Sequence, residues 1–68
     1  MNVSPTEVQQ RESAVEEILD WRFEQLLRVG YARRQARVLS RRLEVDLHEA
    51  LDLVRRGCSH ELAVQILL

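Results

Sequence analysis

From Ala14 to Leu27 the apolar residues Val15, Ile18, Leu19, Phe23, Leu26 and Leu27 recur at spacings of three and four, the stripe of an amphipathic helix. Trp21 falls at the edge of that stripe, beside Ala14 and Ile18. Upstream, Ser4-Pro5-Thr6-Glu7 has the form of a capping box, with Pro5 at the first helical position, where a missing N–H costs nothing. A helix is therefore predicted from Pro5 to about Arg28. Its first turns set Gln, Arg, Glu and Ser around Val8, so residues 1–11 have little to bury and are expected to fray. That leaves 12–68 as a single helical domain.

Gly30 fits the C′ position, where a left-handed residue ends a helix, and Tyr31 can fold back over the last turn. A second helix follows over Arg33 to Arg42. Its inward residues are Ala36, Leu39 and Leu43, with Val38 at the flank and Arg33, Arg34, Arg37 and Arg41 on the opposite face. Asp46 is placed to cap a third helix with Glu49 as its box partner, and Leu47, Ala50, Leu51, Leu53 and Val54 form its buried side. Gly57 ends that helix. Ser59 caps a fourth, running through Leu68, whose last seven residues include six apolar ones spread nearly all round the helix. Such a terminal helix is rarely left in water.

One phrase occurs twice, 27 residues apart: Leu26-Leu27-Arg28-Val29-Gly30 with Ala36 and Leu39, then Leu53-Val54-Arg55-Arg56-Gly57 with Ala63 and Ile66. The expected fold is thus all-α, a small bundle of four helices in two helix-Gly-helix hairpins. Two units stack once and cannot extend as a solenoid, which needs at least about three repeats.

A chain of 68 residues makes one domain that buries only about 60% of its unfolded surface, so a staple or a partner is expected. Cys58 is the only cysteine, which rules out a disulfide within the chain. With no CxxC and no signal-type apolar stretch, an intracellular, cytoplasmic setting is expected. No apolar run approaches the roughly 20 residues of a bilayer span, so no membrane role is expected.

The net charge of −1 conceals segregation. Residues 1–27 hold two Arg and six acids, residues 28–42 six Arg and no acid, and residues 43–54 four acids and no Arg. All ten basic residues are Arg, a bias that fits a GC-rich genome before it fits a need for bidentate contacts. Size and composition suggest an accessory factor of a GC-rich bacterium or of a phage, virion-associated in the second case.

The run Leu26-x3-Gly30-Tyr31-x4-Ala36-x2-Leu39-x6-Asp46-x3-Ala50-x2-Leu53 resembles the ubiquitin-associated (UBA-like) three-helix module. Val29-Gly30-Tyr31 stands at the position of that family's Met-Gly-Phe/Tyr loop. The run is also similar to the use of this fold at the N-terminus of translation elongation factor Ts. The likeness covers about residues 23–57 and implies a UBA-like core with an added C-terminal helix. It further implies a noncatalytic binding module whose contact surface is Val29-Gly30-Tyr31 together with Leu53 and Val54.

Ser40-x2-Leu43-Glu44-Val45-x4-Ala50-x2-Leu53 also matches the spacing of a helix-turn-helix. Its recognition helix would present Asp46, Glu49 and Asp52 to a polyanion, where Arg, Lys, Asn or Gln are wanted. Nucleic-acid binding is therefore the runner-up. Chemistry is thinner still. His48 stands four residues from both Glu44 and Asp52, without a nucleophile or a second ligand-spaced histidine. Cys58 and His60 supply two metal ligands where structural zinc takes four. No cofactor motif occurs, and an enzyme is not expected. The functional expectation is a noncatalytic protein-interaction module that forms homo-oligomers. Trp21, Tyr31, Leu62, Ile66, Leu67 and Leu68 serve as apolar anchors, and Arg33, Arg34, Arg37 and Arg41 set register against an acidic surface. The bland alternative for the same arginines is a solvated face, ion-paired to the acidic flanking helices.

Overall fold

The structure, a computed structural model, describes the backbone of Pro5 to Leu68 and the side chains from Ala14 onward. The Ser4–Glu7 capping box and the first turns' expected fraying lie outside the described side chains. The described residues form four helices: α1 (Pro5–Arg28), α2 (Arg33–Arg41), α3 (Leu47–Arg55) and α4 (His60–Leu67). They are all-α, with α1 packed on α2 and α3, and α3 on α4.

The repeated phrase is a repeated helix stop. At the end of α1, Gly30 N–H donates to Leu27 O (3.0 Å) and Tyr31 N–H to Leu26 O (3.2 Å). At the end of α3, Gly57 N–H donates to Val54 O and Cys58 N–H to Leu53 O, both at 3.0 Å. These are two Schellman motifs, each closed by a glycine in the left-handed region, φ 98° at Gly30 and 99° at Gly57. Leu26 and Leu53 stand three residues before each cap, where their carbonyls accept the closing bond and their side chains lie in the core or against it.

The caps explain the other boundaries. Asp46 accepts from the His48 amide at 2.8 Å and Ser59 from the Leu62 amide at 3.2 Å, each satisfying an otherwise unpaired helix N-terminal donor. The structure gives Asp46 a simple cap, without the reciprocal Glu49 contact of a box. The N-cap of α2 is Ala32, whose side chain caps nothing; Gln35 instead accepts at its amide oxygen from Ala32 N–H (3.0 Å).

The core is Leu26, Tyr31, Ala36, Leu39, Val45, Leu47, Ala50, Leu51 and Ala63. Two inward assignments are corrected. Leu43 is 65% exposed and Val45 takes its place at 4%, because α2 stops at Arg41 and the extended backbone at Arg42 ends the helical period that pointed Leu43 inward. On α1, Val15 and Ile18 are exposed. α1 is 24 residues long, whereas α2 to α4 have only nine, nine and eight, and none of them covers Val15 and Ile18. The molecule measures 50 × 19 × 18 Å with a radius of gyration of 14.6 Å, against about 11 Å for a compact chain of this length.

Candidate interaction surfaces

The Gly30 loop is a packing joint. Tyr31 is 2% exposed and donates its hydroxyl to Ala50 O at 2.7 Å, tying the α1–α2 loop to α3. Burial pushes its phenol above the usual value of 10.0, and the nearby Cys58 thiol adds to the shift. His60, at the start of α4, closes over the same loop. Its Nε2 lies 2.8 Å from Val29 O, which a carbonyl can only accept, so Nε2 carries a proton here. The ring meets Tyr31 edge-on at a centroid distance of 4.9 Å. Tyr31 is therefore an internal anchor and offers no side chain to a partner, which corrects its assignment as a contact residue. Val29, Leu53 and Val54 are half-buried against the core, and Gly30 is exposed.

Besides Val38 on α2 and Leu43 after it, the exposed large apolar residues fall in two groups. Trp21 (53%), Ile18 (55%) and Val15 (49%) stand on α1; Leu62, Ile66 and Leu68 stand open on α4, with Leu67 half-buried. Ile66 occupies in the second hairpin the place that the fully buried Leu39 holds in the first.

Among the arginines, Arg22 builds the fold, whereas the four of the α2 face do not. Arg22 of α1 donates from Nε to Ser40 O (3.2 Å) and from Nη2 to Arg42 O (3.1 Å) and Val45 O (2.8 Å). It thereby satisfies the C-terminal carbonyls of α2 and pins the following loop. Sequence reasoning missed Arg22 and the buried Ser40, whose hydroxyl donates to Arg37 O at 3.0 Å. The only available signal was a lone Arg between the acids and the apolar stripe of α1. Arg33, Arg34, Arg37 and Arg41 are all exposed. Among the described residues the ion pairs are Arg42–Glu44, His48–Asp46 and Arg56–Asp52, so the expected pairing of the Arg face with acidic helices is not found there. Arg33 and Arg34 also sit in the first turn of α2, which holds no acid, where the positive end of the helix dipole disfavours cations. Beside this face a groove of about 160 Å³ between α1 and α2 is lined by Leu19, Asp20, Phe23, Arg37, Ser40 and Arg41.

The remaining candidates are placed as follows. His48 points to its own cap, Asp46, at 3.7 Å, while Asp52 pairs with Arg56 at 2.8 Å and Glu44 with Arg42. Cys58 is half-buried and His60 is turned to Val29; among the described residues no group of three or more His, Cys, Asp and Glu side chains is placed to hold a metal. No described helix is long and apolar enough to cross a membrane. No protein-family model, no curated protein and no solved structure matches this chain.

Proposed function

We propose that this protein is a noncatalytic interaction module that docks onto a protein with an acidic surface. The observation that carries the reading is the Arg face of α2: four exposed guanidiniums without an ion pair among the described residues, two of them at the helix end where they oppose folding. Charges set at a structural disadvantage support a role outside the fold. Trp21 and Ile18 on α1, and Leu62 and Ile66 on α4, supply the apolar anchors such a contact needs, with the arginines fixing register. A UBA-like relationship and an accessory role in a phage or GC-rich bacterium accompany this reading as proposals.

Nucleic acid is the rival ligand for an Arg face. Against it, α2 packs chiefly on α1, and α3 about equally on α1 and α4, which counts against the mutually packed pair of a helix-turn-helix. Asp46 and Glu49 are exposed on the would-be recognition helix. The test is a photo-crosslinking residue in place of Arg34 in the source cell, with a discrete polypeptide adduct expected. Strong binding to random duplex DNA that falls steeply with salt, and disappears in Arg33→Ala/Arg37→Ala, refutes the reading.

A further inference from the structure

We propose that the acidic partner is a second copy of this chain, and that α1 of each copy lies along the Arg face of α2 of the other; the inference rests on the interaction-module reading. The two faces match in register. On α1, Glu17, Trp21 and Glu24 are exposed at positions i, i+4 and i+7, and on α2, Arg34, Val38 and Arg41 are exposed at the same offsets. One stripe is acid-apolar-acid, the other base-apolar-base. In both, the flanking charges stand about 10 Å apart along the helix, and the central side chain is open, Trp21 at 53% and Val38 at 39%. Among the described residues no ion pair joins these stripes within one chain, so both are available to a second molecule.

A twofold arrangement is the natural closure, because one complementary pair of faces, used twice, satisfies both copies. Segregated charge on a chain of net charge −1 then acts as self-recognition: like faces repel and unlike faces attract.

A charge exchange tests this. Variant one is Glu17→Arg/Glu24→Arg, and variant two is Arg34→Glu/Arg41→Glu; all four positions are exposed, and circular dichroism verifies that each variant folds. By sedimentation of the full chain at about 100 µM and about 50 mM salt, where surface charges are weakly screened, wild type is expected at twice its monomer mass. Each variant alone is expected as a monomer, since its two faces carry like charge. Mixed, they are expected to form a one-to-one heterodimer, because both interfaces become complementary again. A wild type that stays monomeric, or folded variants that fail to pair on mixing while wild type dimerises, overturns the proposal. If wild type is monomeric but the Arg34 cross-link captures a different polypeptide, the dimer is wrong and the module reading stands. If the Arg34 cross-link captures no protein at all, the module reading falls with it.

Discussion

The two glycines offer a matched experiment, because they share a backbone conformation and differ only in what surrounds them. Gly30 and Gly57 have φ of 98° and 99°, so an alanine at either meets the left-handed penalty of about 1–2 kcal/mol. A stiffer unfolded chain offsets that by about 0.4–1 kcal/mol. Around Gly57 an added Cβ meets nothing within 4 Å, whereas at Gly30 it comes to 3.0 Å from His60 Nε2. That nitrogen is the one bonded to Val29 O, so the imidazole must give by a few tenths of an ångström. The displacement weakens a hydrogen bond worth about 1 kcal/mol and an edge contact with Tyr31 worth about 0.5–1 kcal/mol. Gly57→Ala is thus expected to cost about 1 kcal/mol, and Gly30→Ala more than that, up to about 3 kcal/mol if both contacts are lost. The total stability of a 68-residue chain is only about 3–10 kcal/mol. Urea unfolding followed by circular dichroism reads both values. A double-mutant cycle assigns the difference, since in a His60→Ala background Gly30→Ala should fall to the Gly57→Ala cost. Equal losses for the two glycines, or an unchanged Gly30→Ala cost without the imidazole, refute the packing argument.

Three further outcomes are expected. Arg22→Ala should cost about 2 kcal/mol by stripping charged donors from the carbonyls that end α2, with faster amide exchange along α2; Arg22→Lys should recover less than half, since one ammonium cannot span Ser40, Arg42 and Val45. The buried Tyr31 phenol is raised above 10.0, so its stabilisation is complete below that pH and is lost as pH rises through the folded value, because the unfolded chain ionises first. Thermal midpoints above pH 10 should therefore fall less steeply in Tyr31→Phe than in wild type. Trp21→Ala should change monomer stability by less than about 0.5 kcal/mol, the side chain being more than half exposed. It should also flatten the dependence of the midpoint on protein concentration.

The fold was legible where local chemistry decides it. Ser59, Asp46, Gly30 and Gly57 each act through neighbours within a few residues, and all four boundaries they mark are present. Legibility failed where distant segments decide. Helical periodicity placed Leu43 inward, but α2 has no tenth residue to carry the period, and Val45 reaches the core from the loop. Val15 and Ile18 carry a sound amphipathic pattern with no helix opposite to receive it. Tyr31 had the position of a contact residue, yet its hydroxyl finds the Ala50 carbonyl 19 residues away, and no pattern in the sequence announces that. Arg22 was hidden for the same reason, since its partners lie 17 to 23 residues on.

These long-range ties bear on how the Arg face exists at all. By its own sequence α2 is a poor helix: nine residues, an alanine N-cap, and two arginines against the positive end of its dipole. Isolated helices of this length do not persist in water. α2 stands because Arg22 holds its C-terminus, Gln35 its N-terminus, and Ala36 and Leu39 are fully buried beneath it. Each of these supports lies on the inner side or at the ends, leaving Arg34, Val38 and Arg41 uncommitted. An acidic stripe laid across that outer side would relieve repulsion among the arginines. Binding and folding of α2 would then be linked, each strengthening the other. The linkage has a measurable sign: amide protection along α2 should rise with protein concentration in wild type, and should stay flat in Arg34→Glu/Arg41→Glu alone. Flat protection in wild type, at concentrations where the dimer is populated, would mean that α2 is finished before any partner arrives.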